Sequence, residues 1–239
     1  MSYPYADDVL FRGNGDTLQY LKIRIDGNTV TRLNQYKVFN NKHKALRRVD
    51  ISEANDRVSL SRINESHLNS FLGNMLDSAQ VLKVKTQYVA RKIMAAIRNG
   101  YRLKYIQHLY VQSSSLSLYG ILSLMKGLPV LAKLTCGIYG LDSELEFIPN
   151  KELPDHIATE YENVGKCLKI WNPMYYSKPN DCETAEYIIL LALACPKLGR
   201  IMINPESAPK LNASIADVLQ RDAYSKYAER LAHLHNIAY

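Results

Sequence analysis

Between Ser78 and Leu141 the chain contains no aspartate or glutamate. At the chain's own frequency, 23 acids in 239 residues, a window of that length should hold about six. Nine lysines and arginines occupy the same stretch, so whatever it folds into must place unanswered positive charge at a surface. Its apolar residues recur at helical spacing, with breaks at Gly100, at the "QSSS" of 112–115 and at Gly127-Leu128-Pro129. The pattern predicts helices near 85–99, 101–112, 116–126 and 128–136.

On the first of these, 100° per residue gathers Val89, Ala90, Ile93, Met94, Ala96 and Ile97 on one side. Lys85, Gln87, Tyr88, Arg91, Lys92, Arg98 and Asn99 fall on the other. A helix that only needs solubility usually mixes signs, because pairs of opposite charge four residues apart stabilise it and like charges do the reverse. Arg102, Lys104, Tyr105 and His108 follow, again without local acids, and Lys22, Arg24, Lys42, Lys44, Arg47 and Arg48 precede. A polyanion supplies the missing counter-charge, and the tyrosines offer stacking surfaces for unpaired bases.

Charge divides the chain. Residues 1–135 hold 20 Lys/Arg against 9 Asp/Glu, whereas 136–239 hold 10 against 14. With 47% hydrophobic and 22% charged residues the chain has enough apolar material for one large core or two lobes. "LQYLKIRIDGNTVTRLNQYKVF", 18–39, alternates apolar and cationic residues around Asp26-Gly27 and reads as a hairpin. Pro149 and Pro154, in the acidic stretch 142–156, mark a lobe boundary. Beyond it come a buried helix at 183–195 and a closing amphipathic helix from about 213 to 237. The expected architecture is mainly α: an N-terminal arm (1–17), a basic lobe of hairpin plus helices (18–141) and an acidic helical lobe (142–239), with no internal repeat.

Catalytic signatures are missing. Tyr88-Val-Ala-Arg-Lys92 has the Tyr-x-x-x-Lys spacing of short-chain dehydrogenases, but no glycine-rich dinucleotide turn accompanies it. Histidine and cysteine never combine at zinc-ligand spacing, and Cys136, Cys167, Cys182 and Cys195 read as reduced thiols. No apolar run reaches the length needed to span a bilayer. The expectation is a non-enzymatic protein with no cofactor and no metal.

"RVSLSRINESHLNSFLGNML", 57–76, resembles a stretch of the nucleocapsid proteins of segmented negative-strand RNA viruses, of the orthobunyavirus and tospovirus type. There Ser59, Arg62 and Ile63 take the places of the family's Thr, Arg and Leu. The resemblance implies encapsidation of single-stranded RNA between two lobes, neighbours linked through the terminal arm and the C-terminal helix, a viral polymerase as further partner, and residence in the virion and host cytoplasm. It also implies a place for Arg62 near the RNA cleft. The expected RNA contacts are Lys85, Arg91, Lys92, Arg98, Arg102 and Lys104, then Arg47, Arg48 and Arg62, with Tyr88 or Tyr105 stacking. The competing expectation is a structural shell or matrix protein, its basic face meeting a membrane or a neighbour's acidic half.

Overall fold

In the computed structural model, described for residues 17–25, 44–53, 73, 76–85, 87–98, 100–138, 140, 145, 148–173, 181–203 and 205–236, parallel strands alternate with helices. The mainly α architecture is therefore corrected to α/β. The chain divides into two compact units, Met1–Ser113 and Ser114–Tyr239.

The first unit holds β1 (Tyr20–Ile25), β2 (Arg48–Glu53), β3 (Val81–Val84), α1 (Gln87–Arg98) and the start of β4 (His108–Leu116). β1 pairs in parallel with β2, β2 with β3 and β3 with β4, in sequence order. The strand expected from the alternation at 21–25 is present, but its partner is β2, not the return arm of a hairpin. Likewise the helix expected at 101–112 is replaced by a turn leading into β4, and that at 128–136 by β5 (Lys133–Ile138). α1 and α2 (Leu118–Lys126) fall where the periodicity put them. α1 ends in a Schellman motif, with Gly100 at φ 90°, its N–H on the Ile97 carbonyl and the Tyr101 N–H on that of Ala96.

A repeat runs through both units. The hexad Leu-x-x-Leu-x-Leu, in apolar variants, occurs as Leu18/Leu21/Ile23, Leu46/Val49/Ile51, Ala79/Leu82/Val84, Ile106/Leu109/Val111, Leu131/Leu134/Cys136, Leu168/Trp171/Pro173 and Leu198/Ile201/Ile203. Strand registers align the hexads position for position: Tyr20 with Arg48, Arg48 with Val81, Val81 with His108, Lys133 with Ile170 and Ile170 with Arg200. A backbone device recurs with them. The carbonyl of the second hexad residue accepts from the N–H groups of the second and third residues of the next coil, as Gln19 does from Arg47 (2.8 Å) and Arg48 (3.0 Å). Arg47, Gln80, Ala132 and Lys169 do the same. Successive hexads lie between 25 residues (Ile106 to Leu131) and 37 residues (Leu131 to Leu168) apart, so no fixed period exists to betray them.

The second unit adds β6 (Ile170–Pro173) and β7 (Arg200–Ile201), each parallel to its predecessor from β5 onward. Its described helices of two turns or more are α2, α3 (Leu153–Glu160), α4 (Asp181–Ala194) and α5 (Ala208–Leu219), and α4 is buried along Ile188–Ala194 on every side, packed by α2, α3 and α5. That accounts for a helix apolar all round in a chain with no described helix long and apolar enough to cross a membrane. Gly165 admits α4's end: a Cβ there would lie 2.2 Å from Cys195 Sγ and 2.9 Å from Met125 Sδ.

The long closing helix expected from 213 to 237 is instead broken, into α5, two single turns (Asp222–Ser225 and Ala228–Leu231) and a 3-10 turn (Ala232–Asn236). Tyr224 anchors the first break, fully buried, its hydroxyl donating to Glu186 at 2.9 Å. Tyr227 and Lys226 both donate to Asp155 on α3, and Arg230 donates to the Leu193 carbonyl. Residues 1–16, 40–43 and most of 57–76, on which the arm, much of the basic loop and the nucleocapsid-like stretch rest, lie outside the described residues.

Candidate binding face on the first unit

Strand side chains alternate between faces, and the hexad decides which face is which. Val49, Ile51, Leu82, Val84, Leu109 and Val111 are buried. Between them Arg48 is exposed, and Asp50, Val81, Lys83, His108 and Tyr110 remain partly accessible. α1 packs on β3 and buries Ala90, Ile93 and Ile97, while the residues of the other face keep access to solvent.

The register arranges the open face into rows about 4.8 Å apart from strand to strand. One row reads Tyr20, Arg48, Val81, His108 and the next Lys22, Asp50, Lys83, Tyr110. Lys85, one residue past the end of β3 and two beyond Lys83, is exposed, its N–H on the Ile51 carbonyl at 2.8 Å. Lys22 and Lys83 thus flank Asp50, a sequence of charges plus, minus, plus.

Asp50 accepts three hydrogen bonds from its own side of the sheet, one fewer than a carboxylate can take. Arg48 donates Nε to Oδ1 and Nη2 to Oδ2, each at 2.9 Å, and the Tyr20 hydroxyl donates to Oδ2 at 3.1 Å. Arg48 also lies over the Tyr20 ring, 5.2 Å from its centroid. Partial burial pushes the Asp50 carboxyl up, but the hydrogen bonds from Arg48 and Tyr20 and the nearby charges of Arg48 and Lys83 outweigh it and hold the group below the usual carboxylate range. Desolvation and the bond to Asp50 raise the Tyr20 phenol. A fork on a carboxylate, stacked on a ring, fixes a side chain that otherwise carries much rotamer freedom. Among the described residues Lys22, Lys83 and Lys85 make no ion pair at salt-bridge distance.

Of the residues expected to bind RNA that are among the described residues, only Arg48 and Lys85 lie on this face. Arg91 is exposed and Lys92 half-buried on α1, in the helix layer. Arg102, Lys104 and Tyr105 are exposed on the turn before β4, and Arg47 is exposed just before β2. Tyr88 and Arg98 belong to α1, and Arg62 is not among the described residues. The supposed single stripe is thus spread over a helix layer, a turn and a sheet. Tyr20, Lys22, Asp50, Lys83, His108 and Tyr110 are not among the expected contacts; their signal is position three or five of each hexad.

Among the described residues no group of three or more His, Cys, Asp or Glu could hold a metal ion. No protein-family model matches the chain, and no curated protein matches it either.

Proposed function

We propose that this chain is a non-enzymatic recognition protein that binds an acidic partner protein on the open strand face of its first unit. The observation that carries this is the Lys22–Asp50–Lys83 row beside the fixed Arg48–Tyr20 pair. A nucleic acid backbone is uniformly negative and would meet Asp50 as it crossed the face. A polypeptide can answer plus, minus, plus with separate side chains, and like-charge contacts then select against wrong partners. Tyrosine and arginine at the centre of the patch suit a protein interface, where both are enriched and carry much of the binding energy. Ladders of strand and helix, leucine-rich repeats among them, present such surfaces along their strands, which supports the reading by analogy of fold.

The test compares a labelled short peptide of Glu-Lys-Glu repeats with oligouridylate of equal length by fluorescence anisotropy at one low ionic strength. The peptide binds more tightly, and Lys22→Glu with Lys83→Glu weakens it about tenfold or more, the scale of one desolvated charge contact per lysine. Tighter binding of oligouridylate, lost on the same two substitutions, refutes the reading.

Single-stranded RNA is a second reading, favoured by one observation. On the turn before β4, Tyr101 and Tyr105 are 36% and 56% exposed beside the exposed Arg102 and Lys104, which is a stacking and phosphate-contact set.

A further inference from the structure

The second unit enters its strands through one repeated turn. The N–H of each hexad's first residue donates to the carbonyl three residues earlier: Leu131 to Leu128 at 3.1 Å, Leu168 to Gly165 and Leu198 to Cys195, both at 2.9 Å. The pairing of β5 with β6 and of β6 with β7 therefore stacks the three turns side by side. Their central residues form two rows, Pro129, Lys166, Pro196 and Val130, Cys167, Lys197. The second hexad position adds a third, Ala132, Lys169, Gly199. Lys166, Lys169 and Lys197 are exposed, Val130 is 37% exposed and Cys167 is partly accessible. Residues 114–239 hold 12 Lys/Arg against 14 Asp/Glu, yet these rows contain lysine and no acid. Asp155, Glu160, Glu183, Glu186 and Asp217 lie on α3, α4 and α5, and the nearest acid in sequence, Glu162, belongs to the turn after α3. Among the described residues the three lysines make no ion pair at salt-bridge distance, whereas Lys133 and Arg200 have partners of their own and lie outside the patch.

We propose that this edge of stacked turns docks on an anionic lipid surface, with Lys166, Lys169 and Lys197 against the headgroups and Val130 at the boundary with the acyl chains. A layer of acidic headgroups is uniformly negative and is met by charge of one sign, unlike the mixed Lys22–Asp50–Lys83 row of the first unit. The same surface repels the acids on the helices, which selects this edge for contact. Lysine is a hydrated point charge on a flexible stem and suits mobile headgroups, while arginine, suited to a bidentate hold on a fixed phosphate, is absent from the three turns. Val130 is the only exposed large hydrophobic among the described residues of the second unit, so the edge offers a bilayer an apolar tip and a nucleic acid no exposed ring to stack on. The patch shares no residue with the first unit's face and is tested separately from it.

The test is co-sedimentation of the full-length protein, at low ionic strength, with vesicles of phosphatidylcholine and phosphatidylserine or of phosphatidylcholine alone. The protein partitions onto the anionic vesicles only. Lys166→Gln, Lys169→Gln and Lys197→Gln each lower the partition coefficient about fivefold, which is about 1 kcal/mol per basic residue at such a surface. Lys210→Gln, at an exposed lysine on α5, leaves it unchanged, and native Trp171 fluorescence shows that each variant is folded. Cys167 reports the contact in the unsubstituted protein: anionic vesicles slow its alkylation by iodoacetamide but not that of Cys182, at the opposite end of α4 from the Cys195 turn. Inorganic phosphate at matched ionic strength protects neither. Failure to partition onto the anionic vesicles, partition unmoved by the three substitutions, or protection of Cys167 by phosphate or oligouridylate but not by vesicles overturns the proposal.

Discussion

Leu82 and Lys83 are adjacent on β3 and test the division of the strand into two faces. Leu82 is fully buried at hexad position four, while Lys83 lies at position five on the open side. Leu82→Ala removes a packed side chain from a layer shared with Val49 and Leu109, its neighbours in register. Loss of transfer energy plus the residual cavity puts the cost at about 2–5 kcal/mol. Lys83→Ala removes a side chain that makes no ion pair among the described residues and costs within about 0.5 kcal/mol. With a urea m-value of about 2 kcal/mol per M, a loss of about 3 kcal/mol lowers the midpoint by about 1.5 M, against less than about 0.3 M for the lysine variant. Far-UV circular dichroism is the assay, because the single tryptophan, Trp171, belongs to the second unit. Equal midpoint shifts for the two variants would refute the face assignment and with it the candidate binding face.

Three further outcomes are expected. Gly165→Ala overpacks against Cys195 and Met125 and lowers the second unit's stability by about 1–3 kcal/mol, read by Trp171 fluorescence in urea. Iodoacetamide at pH 8 modifies Cys167 and Cys182, which are partly accessible, while burial raises the Cys136 thiol to about 12 and the Cys195 thiol further still, so both resist until the protein unfolds. Because the folded Asp50 carboxyl lies below its unfolded value, its contribution is present above about pH 4 and is lost as pH falls through the folded pKa; Asp50→Asn therefore flattens the stability profile between about pH 5 and 3 in urea titrations.

Parts of this fold are legible in the sequence. α1 shows one apolar face and a glycine stop, and α4 is a continuous apolar run, so local signals suffice for both. β1 is readable as a strand from Leu21, Lys22 and Ile23, but the local turn signal of Asp26-Gly27 points to a hairpin, whereas the partner, β2, begins at Arg48. In β4 and β5 alternation is brief, and Leu103, Ile106 and Tyr110, like Leu128, Leu131 and Leu134, recur every three to four residues, so period 3.6 competes with period two. The binding face is less legible than the fold. Lys22, Asp50 and Lys83 come from three coils with uneven spacing, and only strand register makes them neighbours. Arg48 stands out by its charge, yet its role depends on a carboxylate two residues away and a ring on another strand.

The central claim is that the open strand face, rather than the helix layer or the turn before β4, receives the partner. Lysine acetylation mapped by mass spectrometry, with and without saturating Glu-Lys-Glu peptide, tests it most directly, since Lys22, Lys83, Lys85 and Lys104 are all accessible to the reagent to some degree. The account predicts protection of Lys22, Lys83 and Lys85 with Lys104 unchanged. Protection of Lys104 while Lys22 and Lys83 acetylate as before would contradict it.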